Sequence, residues 1–128
     1  MRRSRGGRFR PAALATALAA VITGGAAPAT AVSPDQCPPA HFCVWEHNDY
    51  TGRFFSSSGS SPNIGAAMND RTSSYRNRSR WWVSMYLDAD YGGGCIMQSI
   101  GPGGASWMLP ADINDRMTSF VIASSPLC

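Results

Sequence analysis

The sequence predicts an all-β fold: one antiparallel sandwich assembled from two copies of the same unit. Three observations carry that prediction. Past residue 31 no stretch holds apolar residues at helical spacing; short aromatic and β-branched runs alternate instead with Gly-, Ser- and Pro-rich loops. Residues 64–75 return as residues 109–120, with Asn69, Asp70, Arg71, Ser73, Ser74 and Tyr75 answered by Asn114, Asp115, Arg116, Thr118, Ser119 and Phe120. A second repeat precedes each copy, an aromatic-x4-aromatic-x-Gly spacing at Trp45, Tyr50 and Gly52 and again at Tyr86, Tyr91 and Gly93.

In chain order, residues 1–31 come first. Arg2, Arg3, Arg5, Arg8 and Arg10 precede an apolar stretch from Ala12 to Ile22, and small residues end in Ala29-Thr30-Ala31. A basic head, an apolar body too short to span a membrane and an A-x-A site describe a secretory signal peptide. Residues 32–128 then form one domain, with units at about 40–80 and 81–128. Removing the signal reverses the charge: the precursor is formally +3, whereas six arginines against eight acidic residues remain beyond residue 31. A mildly acidic product argues against nucleic acid as a partner, which calls for a basic stripe. Arg76, Arg78 and Arg80 alternate beside Trp81 and Trp82, which reads as a solvated strand or linker face.

Export sets the reading of the four cysteines. In an oxidising compartment they form two disulfides, Cys37 with Cys43 by proximity and Cys95 with Cys128 as the remaining pair. A zinc set of Cys37, His41, Cys43 and His47 is the rival, disfavoured by compartment and by ligand spacing.

Strands are expected at 42–45, 52–55, 81–87, 95–97 and 119–122, and loops at 56–62 and 101–106. Val83, Met85 and Leu87 alternate with Ser84 and Tyr86, as in a half-buried strand. Each aromatic-x4-aromatic-x-Gly segment reads as a hairpin folded over on itself, its glycine free to take a positive φ. The elements Asn69-Asp70-x-x-Ser73-Ser74 and Asn114-Asp115-x-x-Thr118-Ser119 concentrate oxygen atoms in loops entering strands. Such residues cap turns everywhere, but their duplication in register with the hairpins suits a hard, oxygen-seeking cation such as calcium.

These two signatures resemble those of the microbial βγ-crystallins, in which a folded hairpin and an Asn/Asp-rich loop ending in Ser/Thr-Ser mark each Greek-key motif. The resemblance covers residues 42–122 and implies two Greek-key motifs forming one βγ-crystallin-type sandwich. It also implies two calcium ions, each held between the loop of one unit and the hairpin of the other. Carried over by position, Ser73 and Thr118 would supply hydroxyls and Asp70 and Asp115 carboxylates. Arg71, Arg116, Asn48 and Ala89 would supply backbone carbonyls. Ser74 and Ser119 would instead bond the hairpins.

Cys37-Pro38-x4-Cys43 opening a secreted domain of this size further resembles the streptomycete metalloproteinase-inhibitor family. That resemblance implies a monomeric extracellular inhibitor of thermolysin-like proteases, acting through an exposed loop stiffened by a short second disulfide. Here the next cysteine after Cys95 is the terminal one. Residues 56–63 and 101–107 are the candidate contact loops. Trp107 and Met108 are a possible apolar anchor there, although core packing is the ordinary expectation for such residues. A calcium-stabilised structural or stress protein, or a small secreted toxin, are the alternatives on this fold. Catalysis is disfavoured: only His41 and His47 could act as neutral-pH bases, and neither a Gly-x-Ser-x-Gly elbow nor a His-Glu-x-x-His helix is present.

Overall fold

The structure is a computed structural model that describes residues 33–128; the expected signal peptide, 1–31, lies outside the described residues. Six strands are present: β1 (Phe42–His47), β2 (Thr51–Ser57), β3 (Ser74–Asn77), β4 (Trp82–Tyr86), β5 (Ala105–Ser106) and β6 (Ser119–Ala123). One sheet has the order β2-β1-β3-β5 and the other pairs β4 with β6, all antiparallel. Isolated bridges extend the second sheet on both sides, Tyr86 with Cys95 and Val83 with Ile100 beyond β4, and Ser61 with Phe120 beyond β6.

Each sheet therefore borrows one edge from the other half. β5, from the second unit, pairs with β3 through Tyr75–Ser106 and Arg76–Ala105, while Ser61 of the first unit pairs with β6. This exchange is the Greek-key crossing, and it interlocks the two units instead of leaving them side by side.

Strand alternation decides where the core forms. Phe42 and Val44 of β1 point between the sheets, where they meet Tyr75, Val83, Met85, Ile100, Leu109, Met117 and Phe120. Phe42 packs edge-on to Phe120, ring centroids 4.9 Å apart. The outer face of β1 is buried too, since Cys43 and Trp45 lie under residues 34–37. Trp45 Nε1 donates to Gln36 Oε1 at 2.9 Å, satisfying a polar group that burial would otherwise penalise. Arg76 and Arg78 complete this cover, donating to the carbonyls of Pro34 and Cys37 at 2.9 and 2.7 Å. They are staples for the chain entry, a use their alternation alone did not disclose. Arg78 remains exposed while making this bond, as does Arg80, which lies over the Trp81 ring at 4.7 Å.

Both expected disulfides are formed, Cys37–Cys43 and Cys95–Cys128. The first removes the thiolates that a zinc site would use. The second draws the C-terminus over β4, where Leu127 and Cys128 N–H groups donate to the paired hydroxyls of Ser84 and Ser99.

Two expectations are corrected. Residues 95–97 make only a single bridge, Cys95 with Tyr86, because the chain bends at 96–98 before returning to β4 at Ile100. The predicted loops are also shorter than expected: Ser56 and Ser57 prolong β2, and Ala105 and Ser106 form β5.

Candidate functional site

The two folded hairpins have the same backbone. Asp49 and Tyr50 take φ of 58° and 57°, Asp90 and Tyr91 take 54° and 62°, and Gly52 and Gly93 follow at 80° and 76°. A left-handed tyrosine is costly, so something must hold it. That something is the last serine of the repeated loop. Ser74 Oγ donates to His47 O at 2.8 Å and accepts from Tyr50 N at 3.2 Å. Ser119 Oγ bonds Asp88 O and accepts from Tyr91 N in the same way. Both serines are fully buried. The aromatic pairs close the turns as expected, Trp45 with Tyr50 at 5.0 Å and Tyr86 with Tyr91 at 6.1 Å between centroids. A side chain at Gly52 would meet the His47 ring at 2.6 Å, and one at Gly93 would collide with Asp88, so both positions need glycine for space as well as for φ.

The Asn-Asp loops are bonded to each other across an approximate two-fold. Asp70 N donates to Met117 O at 3.1 Å, and Asp115 N donates to Thr72 O at 3.0 Å. Asp70 and Asp115 themselves adopt φ of 54° and 59°, a region that Asp and Asn tolerate better than other side chains. Part of the reason for Asp at these positions is thus conformational.

This pairing creates two clefts. The first, about 550 Å³, is lined by Glu46, His47, Asn48 and Thr51 of one hairpin, Arg71 and Ser73 of the adjoining loop, and Asn114 and Asp115 of the other unit. The second, about 480 Å³, repeats the scheme with Leu87, Asp88 and Ala89, with Arg116 and Thr118, and with Asn69, Asp70 and Asp115. Every residue that sequence reasoning put forward as an oxygen ligand lines one of these clefts. The expected division, the loop of one unit against the hairpin of the other, is corrected: Arg71 and Ser73, like Arg116 and Thr118, share a cleft with the hairpin of their own unit, while Asn69 and Asp70, like Asn114, reach the opposite cleft, and Asp115 lines both. Ser73 Oγ donates to Asp115 Oδ1 at 3.1 Å, joining residues 42 apart in sequence.

The electrostatics differ between the clefts. Glu46 carries its carboxylate to the Arg53 N–H at 3.2 Å and to Arg71 Nη1 at 3.3 Å. Its pKa is lowered, chiefly by the Arg53 backbone bond, which outweighs the opposing desolvation, with the Arg71 bond adding to the lowering. Among the described residues no three His, Cys, Asp or Glu side chains converge as a metal cluster. Any cation held here would rest on amide, hydroxyl and carbonyl oxygens as much as on carboxylates. Asn69 Oδ1 and Asn114 Oδ1 are buried acceptors with no hydrogen-bond partner, each on a residue that lines one of the clefts. Buried acceptors left unsatisfied are uncommon and call for a ligand or water.

Trp107 and Met108 are not in the core. They stand exposed, which reverses the ordinary expectation for such residues. The signal for this was available: extending the repeat three residues upstream aligns Ser106-Trp107-Met108 with Ser61-Pro62-Asn63, a polar turn.

Two interlocked Greek keys, folded hairpins tied by buried serines and paired clefts between them define a βγ-crystallin-type domain. Solved structures agree. One from work on the evolution of the eye-lens βγ-crystallin domain fold superposes with a TM-score of 0.61 at 17% identity, covering 70% of this chain and 91% of that one. A βγ-crystallin from an archaeon gives 0.55 at 27%, covering 66% and 99%. A βγ-crystallin domain from Clostridium beijerinckii gives 0.54 at 22%, covering 66% and 98%. Within that fold the chain belongs to peptidase inhibitor family I36, whose family model matches residues 30–99. It is accordingly an inhibitor-type protein and not an enzyme. A search of curated proteins finds no match. Among the described residues no helix is long and apolar enough to cross a membrane.

Proposed function

We propose that the chain is a secreted inhibitor of extracellular metallopeptidases whose scaffold is stabilised by two calcium ions. Family membership supports the inhibitory use, and the sequence resemblance of the Cys37-Pro38-x4-Cys43 opening to metalloproteinase inhibitors supports the peptidase class. The observation that carries the calcium reading is the recurrence of one oxygen-rich cleft in each unit, where an Asp carboxylate and a Ser or Thr hydroxyl line the same space as the folded hairpin. In the first cleft Asn48 and Arg71 carbonyls, Ser73 and Asp115 would hold the ion; in the second, Ala89 and Arg116 carbonyls, Thr118 and Asp70. A bound cation would neutralise the acidic ends of the loops and lock both units together, because every cleft draws on both. At calcium about a hundredfold above the dissociation constant the gain is about 2.7 kcal/mol, a large share of a small domain's stability.

Calorimetric titration of the chelator-stripped secreted protein tests this. The expected stoichiometry is two, falling to one in Ser73→Ala and in Thr118→Ala and to none in the double variant. Absence of saturable heat in the wild type would reduce the loops to turn caps. Thermolysin added to the same sample should then give a second, saturable heat and lose its activity.

A further inference from the structure

Trp107 and Met108 are the one adjacent pair of large apolar side chains exposed among the described residues, at 55% and 45%. The other exposed aromatics have partners: Trp81 lies under Arg80, and Tyr91 packs on Tyr86. The backbone beneath the pair is fixed on both sides. Trp107 O accepts from Asp49 N at 2.8 Å, Leu109 N donates to Ser73 O at 2.8 Å, and Ser106 Oγ donates to Met108 O at 2.7 Å. Leu109, the next residue, is buried in the core.

The other unit shows that none of this needs a Trp or a Met. Its corresponding corner is Pro62-Asn63, where Pro62 O accepts from Asp90 N at 2.8 Å and Ile64 N donates to Thr118 O at 3.0 Å. The same backbone bonds form around a polar corner. The indole and thioether are therefore additions to the fold, held out on a rigid turn. Pre-fixed backbone lowers the ordering cost of binding, tryptophan is among the residues enriched at interface hot spots, and methionine adapts to irregular apolar pockets.

Given the inhibitory reading above, on which this rests, we infer that the Trp107–Met108 corner is the surface that enters the peptidase cleft, its two side chains filling apolar side-chain subsites. The partner is thus a peptidase with a preference for large apolar residues. The corner also hangs on the first hairpin through Asp49, so the first cleft and the contact surface share one rigid body.

Replacing the corner by its counterpart, Trp107→Pro with Met108→Asn, tests the assignment, with inhibition of thermolysin and the unfolding midpoint measured together. Trp107→Ala with Met108→Ala repeats the test should proline disturb the turn. The expected result is a loss of inhibition of about a hundredfold or more with an unchanged midpoint. A parallel readout is oxidation of Met108 by dilute peroxide, which the bound peptidase should slow. Full inhibition by a folded variant, or Met108 oxidised as fast in the complex as alone, would place the contact elsewhere and overturn this inference while leaving inhibition standing. A wild type that does not inhibit thermolysin would overturn the metallopeptidase reading and this assignment with it.

Discussion

The first half of the molecule edges its folded hairpin with Glu46, held by Arg53 and Arg71; the second puts Leu87 in that place, and Arg116 has no acidic partner among the described residues. The outer faces of the sheets diverge as well. The first is sealed by an apolar plug, Cys37, Cys43 and Trp45, whereas the second is closed by the hydroxyl pair of Ser84 and Ser99 receiving the terminal N–H groups. Against this, the hairpin φ angles, the buried serines and the crossed loop bonds match almost atom for atom. The comparison teaches which positions the backbone dictates. Within the hairpins and the loops that tie them, Asp49, Tyr50, Gly52, Asp70 and Ser74 recur as Asp90, Tyr91, Gly93, Asp115 and Ser119, whereas elsewhere even left-handed positions differ, Gly65 standing where the second half has Pro110.

The largest asymmetry should lie in the disulfides. Cys95–Cys128 closes a separation of 33 residues and Cys37–Cys43 one of 6. On chain entropy the longer closure contributes about 4 kcal/mol and the shorter about 2. Urea unfolding of the two double Cys→Ala variants should rank them in that order. If loss of the short bridge proves worse, burial of Trp45 beneath residues 34–37 outweighs chain entropy and the apolar plug is the dominant element.

Where the halves match, the effects should match. Ser74→Ala and Ser119→Ala each strand a buried hairpin N–H and carbonyl, so each should destabilise by about 2 kcal/mol. The left-handed tyrosine beside each serine would lose its anchor, and local hydrogen exchange at Tyr50 or Tyr91 should rise accordingly. Unequal costs would show that one hairpin is held mainly by its aromatic pair, where the closer approach of Trp45 to Tyr50 points to the first.

The same distinction explains what the sequence discloses. Gly52, Gly93, Asp70, Asp115, Ser74 and Ser119 are legible because each position admits few residue types, so the duplication survives there and marks hairpins, loops and clefts together. The exchange of edges between sheets is not legible. β5 is two residues inside a Gly- and Ser-rich loop, with no alternation to announce it, and its pairing depends on β3 thirty residues away. Likewise, Arg76 and Arg78 look like a solvated stripe because their partners are carbonyls, which every residue carries. Core packing at Trp107 fails as an expectation because hydrophobicity alone does not distinguish an anchor from a filler; alignment with Pro62 does.

The smallest predicted effect isolates the drifted pair, Glu46 against Leu87. Glu46 has its pKa lowered from about 4.5, first by the Arg53 N–H and then by Arg71. A depressed carboxylate binds its proton more weakly in the folded state. Its contribution to stability is therefore present above the ordinary glutamate value and lost as pH falls through the lowered one. Leu87 adds no such dependence, so the first half should loosen in acid before the second. Unfolding midpoints of wild type and Glu46→Gln, compared from neutral pH down to the acid limb, should converge as Glu46 protonates and separate above that. The gap should shrink in high salt, since both arginines are largely exposed and screened. Profiles that run parallel at every pH would mean that the Arg53 and Arg71 contacts hold no free energy, leaving the two hairpins equal in stability and different only in sequence.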